Sequence, residues 1–196
     1  MSVPSSSTPR ARCVTCALPL RTCVCALVAP TANRIDVLVL QHPDEAGEAK
    51  GSARLLALSL ARCRVVVGEV FEPATLQALL SAGSALLYPA ETNDRASAAA
   101  ATAVTQLVVL DGTWRKSLRM LRANPLLHAL PRWSLAAPSP GRYGALRKAP
   151  RPGQLSTLEA TCAALSELES AAARYLPLRA AFDRFVDDRV ARARRP

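Results

Sequence analysis

The sequence contains no apolar run long enough to span a bilayer, and its first residues, rich in Ser, Pro and Thr, hold no apolar signal segment. We therefore expect no contact with membranes, no secretion and a cytoplasmic location. In the cytoplasm the six cysteines are expected to be reduced, which excludes a disulfide-stapled scaffold. Residues 1–10 are expected to be disordered.

Internal repeats, a Walker phosphate-binding loop and a Gly-x-Gly-x-x-Gly fingerprint are all absent from the sequence. A nucleoside ligand would therefore have to be bound by loops of another design. Acidic residues are also scarce, with 15 against 25 Lys and Arg, which gives a net charge of +10. That balance favours a polyanionic partner such as nucleic acid, although a GC-rich genome that inflates Arg and Ala would produce the same excess without a function.

Four of the cysteines lie close together near the N-terminus, at Cys13, Cys16, Cys23 and Cys25. In a reducing compartment this spacing predicts a tetrahedral thiolate site, and Zn²⁺ is the ion that best suits four sulfur ligands. With four ligands the shell is closed, so a structural role is expected. Redox-active dithiols, free cysteines and iron–sulfur ligation remain as alternatives. Cys63 and Cys162 have no partner at metal spacing and are interpreted as small buried residues.

Beyond the cysteines, short apolar runs alternate with amphipathic segments, which predicts an α/β fold with a mostly parallel sheet flanked by helices. Two domains are expected: the disordered start plus the cysteine knuckle at 1–30, and one α/β domain at 31–196. The predicted strands are 35–40, 64–70, 85–89, 107–110 and 133–135. The predicted helices are 51–61, 72–80, 115–124, 156–175 and a last one from 178.

The stretch from Leu107 to Lys116 combines a buried strand, an acid, a glycine, a hydroxyl, an indole and the start of a helix. Open α/β sheets bind their ligands at the carboxyl ends of strands, which is where Asp111 is expected. The alternative is an acid that caps the following helix. For Trp114 we favour packing beneath the site over stacking on a ring. For His42, at the end of another strand, we favour a structural hydrogen-bonding role over that of a ligand or base.

A long basic loop covers residues 138–157 and is punctuated by Pro and Gly. Loops of this length inside a compact domain are usually functional or disordered. It ends in a capping-box arrangement, with Ser156 expected to cap the next helix and Glu159 to reach back. A helix N-terminus after such a loop is suited to bind a carboxylate or phosphate.

An ordered set of motifs extends from Cys13 to the helix after Glu159. The motifs are Cys13-x-x-Cys16 with Cys23-x-Cys25, His42-Pro43-x-Glu45, Leu87-Tyr88-Pro89, Asp111-x-Thr113-Trp114, Tyr143-x-x-Leu146-Arg147-Lys148-x-Pro150 and Leu155-Ser156-Thr157-x-Glu159-Ala160. Through this set the chain resembles the DTW-domain family. One departure is visible, because many members carry Asn-Thr where this chain has Gly51-Ser52, which leaves the subgroup open.

This resemblance implies a transferase that uses S-adenosylmethionine (SAM). Members of the family transfer the 3-amino-3-carboxypropyl group of SAM to the base nitrogen of a tRNA uridine, with methylthioadenosine as by-product. The resemblance also implies a catalytic domain related to the SPOUT methyltransferases, whose C-terminal half is knotted. A SPOUT-like RNA methyltransferase and a non-catalytic zinc-knuckle RNA-binding protein are the competing interpretations.

Within that resemblance Asp111 is the expected general base that removes the uridine proton, and Thr113 is expected to orient its carboxylate or to bond to the base. Trp114 completes the expected catalytic set. Arg147 and Lys148, or the helix start at 156–157, would hold the carboxylate of SAM. Backbone near Leu87, Pro89 and Leu110 would line the adenosine pocket. The full cofactor-binding set is Leu87, Pro89, Leu110, Tyr143, Arg147, Lys148, Leu155, Ser156 and Thr157.

The expected partners are tRNA and SAM. The tRNA phosphates are expected to contact three basic surfaces, which comprise the knuckle arginines (Arg10, Arg12 and Arg21), the loop at 142–151 and the tail at 189–195. SPOUT proteins often form dimers, but the cysteine appendage is compatible with a monomer, which we slightly favour. Neither the modified tRNA position nor the tRNA species follows from the sequence.

Overall fold

A computed structural model describes residues 11–89, 103–136, 141–142, 144 and 155–194. The strands are β1 (Asp36–Gln41), β2 (Cys63–Val67), β3 (Ser84–Leu87), β4 (Gln106–Asp111) and β5 (Arg132–Trp133). The α-helices are α1 (Ala53–Ser59), α2 (Pro73–Leu79), α3 (Trp114–Ala123), α4 (Pro125–His128), α5 (Thr157–Leu168) and α6 (Leu176–Ala193). Short 3₁₀ turns lie at Leu20–Thr22, Cys25–Leu27, Pro43–Glu45 and Ala172–Tyr175.

Within the described residues the five strands form one all-parallel sheet in the order β2-β1-β4-β3-β5. The two central strands, β1 and β4, are buried along nearly their whole length. A parallel strand that is covered by helices on both faces usually has a continuous apolar sequence, as Val37–Leu40 and Leu107–Leu110 do. The predicted α/β fold class with a parallel sheet is confirmed.

Alternate residues of the central strands build two separate cores, because side chains along a strand point to opposite faces. On one face Val39 and Val109 pack with α1, α5 and α6, whose Phe182 and Phe185 are almost completely buried. On the other face a smaller core that contains Leu40 packs with α2, α3 and α4. The cysteine knuckle contributes to the first core through its buried residues Cys16, Leu18 and Val24.

Several element ends differ from the sequence-based predictions. The helix predicted at 156–175 ends at Leu168, because Ser170 has a φ of 49°, a left-handed conformation through which an α-helix cannot continue. The strand predicted at 64–70 is Cys63–Val67. Cys63 at its start is half-buried and not buried as expected, whereas Cys162 in α5 is fully buried. The knot and the division at residue 30 stay predictions.

No helix in the described ranges is both long and apolar enough to cross a lipid bilayer.

The buried carboxylate of Glu169 joins the end of α5 to the start of β1. Its Oε1 accepts hydrogen bonds from the N–H groups of Arg34 (2.7 Å) and Ile35 (3.1 Å), and its Oε2 forms an ion pair with Arg174. Burial opposes the charged form of Glu169, but these N–H groups and Arg174 outweigh it and hold its pKa below the usual value.

Replacing Glu169 by Gln is expected to destabilise the fold by roughly 1–3 kcal/mol at pH 7, because hydrogen bonds to a charged group are weakened. Because the pKa of Glu169 is lower in the folded state, its charged form stabilises the fold at pH values above the pKa of the unfolded carboxyl. This contribution is lost as the pH falls through the pKa of the folded state. The difference between variant and wild type should therefore shrink below about pH 4. Urea denaturation between pH 7 and pH 3 measures it.

Glu167→Gln is the matched control for this experiment, since Glu167 is exposed on the same helix and its replacement should change stability little at any pH. An E169Q penalty that stays constant down to pH 3 would contradict the assigned role of the carboxylate.

Candidate functional site

The site begins with the register between the two central strands, which pairs Gln41 of β1 with Asp111 of β4. Both residues end their strands, so their side chains meet at the carboxyl edge of the sheet. Gln41 Nε2 donates to Asp111 Oδ2 at 2.7 Å, and Thr157 Oγ1, at the start of α5, donates to Asp111 Oδ1 at 2.5 Å. A carboxylate that is only 6% exposed is thus held between three elements.

The alternative in which Asp111 caps the following helix is wrong. Helix α3 is capped by Thr113, whose side chain accepts a hydrogen bond from the N–H of Lys116 at 3.4 Å. The hydroxyl that contacts the carboxylate of Asp111 belongs to Thr157 and not to Thr113. Thr157 carries no local signal for this role, because the pairing joins residues 46 positions apart.

A cleft opens beside Asp111, and its walls come from Glu45, Gly51 and Ser52 together with residues 111–112 and 155–157. Space there is tight around Gly112, where an added Cβ would lie 3.1 Å from the Cβ of Lys116. Ser52 contributes its Oγ as the acceptor for the N–H of Leu158 at 3.2 Å. The cleft therefore combines a fixed carboxylate with hydroxyl groups and the first turn of α5.

The predicted capping box at the start of α5 is confirmed. Ser156 Oγ accepts from the N–H of Glu159 at 3.1 Å, and Glu159 Oε2 accepts from the N–H of Ser156 at 2.8 Å. Glu159 Oε1 also accepts from the N–H of Arg142 at 2.7 Å. A protein carboxylate thus already uses part of the anion-binding capacity of this helix end, and a role for Ser156 and Thr157 toward a ligand stays a prediction.

Glu45 supplies a second buried carboxylate, which the sequence analysis did not assign to the site. It is 6% exposed, lines the cleft and lies 2.9 Å from Nζ of Lys116. The hydrogen bond to Glu45 raises the pKa of Lys116 above its usual value. The available signal was the motif His42-Pro43-x-Glu45 itself, whose acid follows a strand that neighbours the one ending at Asp111.

His42 has the geometry of a structural hydrogen bonder. It is buried, its Nδ1 accepts from the N–H of Asp44 at 3.2 Å, and its Nε2 lies 3.1 Å from a guanidinium nitrogen of Arg119. Glu69 Oε2 is 3.3 Å from the same ring nitrogen. The side chain therefore connects the end of β1 to α3.

The expectation that Trp114 packs beneath the site as a buried residue is wrong. Its side chain is 44% exposed, and its ring is stacked on Tyr88 with centroids 5.2 Å apart. The guanidinium of Arg132 lies 5.2 Å from the centre of the Tyr88 ring. At the first position of α3 the indole therefore presents an aromatic surface to solvent.

The other predicted cofactor residues lie as follows. Leu87 is half-buried at the carboxyl end of β3, and Leu110 is buried near the carboxyl end of β4. Pro89 is exposed just beyond β3. Leu155 lines the cleft. Tyr143, Arg147 and Lys148 lie outside the described residues, so their roles stay predictions.

One assignment to the tRNA-binding surface is wrong, because Arg189 is only 5% exposed. Its Nε donates to the carbonyl of Ala49 at 2.8 Å and its Nη2 to the carbonyl of Thr22 at 2.7 Å. Two other proposed phosphate contacts are paired with acids: Arg142 with Asp187 and Arg192 with Asp188.

The four predicted metal ligands come together. The Sγ atoms of Cys13, Cys16, Cys23 and Cys25 all lie within 4.8 Å of one another, with Cys13 to Cys25 at 3.6 Å and Cys16 to Cys23 at 3.7 Å. A tetrahedron with metal–sulfur bonds of about 2.3 Å has edges of about 3.8 Å. This group can hold a metal ion.

The thiols of the cluster differ in how readily they ionise. The backbone N–H groups of Cys16 and Thr15 lower the pKa of Cys13 to about 6, whereas burial raises the pKa of Cys25 to about 12. Such backbone donors around a thiolate favour its charged form, which is the form that binds a metal.

Comparison with known proteins gives two matches for this chain. A family model described as the DTW domain matches residues 10–190. A protein of Drosophila melanogaster named tRNA-uridine aminocarboxypropyltransferase 2 is 33% identical over 171 residues, which cover 82% of this chain and 68% of the relative. No solved structure matches. Both matches include the strand end at Asp111 and the residues around it, and the chain belongs to the DTW-domain family.

Proposed function

We propose that this protein is a tRNA-uridine aminocarboxypropyltransferase. The observation that carries the proposal is the carboxylate of Asp111, fixed by Gln41 and Thr157 at the edge of a cleft. Membership in the DTW family and the name of the Drosophila relative support the reaction class. A general base on a rigid strand end is what removal of a weakly acidic proton requires.

SAM would supply the transferred group, since its sulfonium makes each attached carbon open to attack by a nucleophile. Asp111 takes the proton from the uridine imino nitrogen, and the freed electron pair forms the new nitrogen–carbon bond. The carbon–sulfur bond breaks, and its electrons leave with the thioether methylthioadenosine. The buried acid Glu45, which also lines the cleft, suits a ligand with a sulfonium and an ammonium group.

The choice of the aminocarboxypropyl carbon over the methyl carbon depends on positioning, because only the carbon aligned with the uridine nitrogen reacts. The cleft walls at Glu45, Gly51 and Ser52 and at 155–157 contribute to that alignment in this proposal. The first turn of α5, together with Arg147 and Lys148, would hold the ligand carboxylate. Leu87, Pro89 and Leu110 would line the adenosine pocket.

The products test the reaction. Purified protein incubated with SAM and an unmodified tRNA transcript is expected to release methylthioadenosine and to form 3-(3-amino-3-carboxypropyl)uridine, both measured by mass spectrometry. S-adenosylhomocysteine would instead identify a methyltransferase. Absence of any product, with tRNA still bound, would identify a non-catalytic RNA-binding protein.

Asp111→Asn tests the base. Because the amide cannot accept the uridine proton, single-turnover transfer is expected to fall by about 10²-fold or more, while SAM affinity measured by calorimetry changes only a few-fold. The matched control is Asp36→Asn, which changes an acid at the opposite end of β1 that is bonded to Arg62. Transfer by D111N at the rate of D36N would reject the assigned role.

We further propose that the cysteine cluster binds one structural Zn²⁺ per chain. Cys25→Ser is expected to lose the metal, as measured by elemental analysis. If loss of the metal lowers the free energy of unfolding of this variant by about 3–4 kcal/mol, its Tm is expected to fall by roughly 10 °C in a chain of this size. Cys63→Ser, outside the cluster, is the control and should keep the metal. A C25S protein with wild-type Tm and no metal would contradict a structural role.

A further inference from the structure

Helix α3 presents three arginines to solvent on one side. Arg115, Arg119 and Arg122 follow one another at intervals of four and three residues, which places them on the same face of a helix. All three are exposed, while Met120 and Leu121 face the core. The helix contains no acidic residue, so nothing on α3 itself neutralises this face.

Two of these arginines lack the aspartate partners that several other basic groups have. Among the described residues the side chains of Arg115 and Arg122 form no ion pair or hydrogen bond, whereas Arg62, Arg142 and Arg192 are all paired with aspartates. Arg119 is bonded to Glu69 but remains 59% exposed. The charge pattern of helix α6 is different, because its arginines alternate with the acidic residues Asp183, Asp187 and Asp188.

The position of this face relates it to the cleft. Helix α3 begins three residues after Asp111, and its first residue is the exposed Trp114. From Arg115 to Arg122 the helix rises about 10 Å. In double-stranded DNA one strand carries a phosphate about every 3.4 Å along the helix axis, so this length is comparable with the axial span of about three phosphates.

We propose that the α3 face, defined as Arg115, Arg119 and Arg122, docks the phosphate backbone of the RNA strand that carries the target uridine. The inference rests on the proposed function and specifies which surface serves it. Charge complementarity identifies the partner, because RNA offers a row of anions and α3 offers a row of guanidinium groups. The exposed indole of Trp114 is at the first position of the same helix, three residues after Asp111.

The double variant R115Q/R122Q tests this docking surface. Arg119 is left unchanged because it also contacts Glu69 and His42. The matched control is R64Q/R184Q, which removes the same charge from two exposed arginines of β2 and α6. Affinity for an unmodified tRNA transcript is measured from about 50 to 200 mM salt, with SAM affinity and Tm determined for each protein.

The α3 variant is expected to bind tRNA about tenfold more weakly than wild type. Its log–log salt slope should be shallower by roughly 1.5, since each lost phosphate contact removes about 0.7–0.9. SAM affinity and Tm should match those of the control variant, which should bind tRNA like wild type.

The outcomes separate the inference from the proposed function. If wild type, the α3 variant and the control variant bind tRNA equally well, the assignment of the α3 face as the RNA docking surface is rejected. An acidic protein then becomes the class of partner to test for this face. If wild type forms no modified uridine but the α3 variant alone loses tRNA affinity, the transfer reaction is rejected and the docking surface is supported. If wild type does not bind tRNA, both are rejected.

Discussion

The parallel pairing of β1 with β4 is the constraint on which the candidate site depends. Its register sets Gln41 opposite Asp111, so the amide reaches the carboxylate at the edge of the sheet. A shift of one residue would turn every side chain of a strand to the other face and would exchange Val39 and Leu40 between the two cores. The apolar pattern that builds the cores therefore also fixes the position of Asp111.

Features encoded by local sequence were predictable. The strands around Leu38 and Val108 are continuous apolar runs because they are buried on both faces, and the capping box needs only residues 156 and 159. The cysteine cluster spans a short segment whose spacing brings the thiols together. The carboxyl end of a strand followed by a glycine located Asp111 at the edge where such sheets bind ligands.

Features that depend on distant residues were not predictable. Helix α5 ends before the predicted residue 175, next to Glu169, which binds N–H groups 134 and 135 positions away in the sequence. No residue near Glu169 in the sequence indicates these contacts. The bond from Thr157 to Asp111 likewise requires the tertiary fold. Trp114 was expected inside because indoles usually are, but stacking on Tyr88 covers one of its faces and leaves the ring half exposed.

Arg189 shows why a basic C-terminal helix is not uniformly an RNA surface. Burying a guanidinium carries a large desolvation cost unless other groups satisfy it. Burial and the neighbouring charge of Arg192 lower the pKa of Arg189, and the carboxylate of Asp188 opposes them. Two carbonyls, of Thr22 and Ala49, accept its hydrogen bonds. Ala49 lies between Glu45 and Gly51, two residues that line the cleft, so this one side chain joins α6, the cysteine knuckle and the loop that contains Ala49. The knuckle is therefore held against the loop beside the site by a buried arginine, and that arginine is not part of the exposed basic surface.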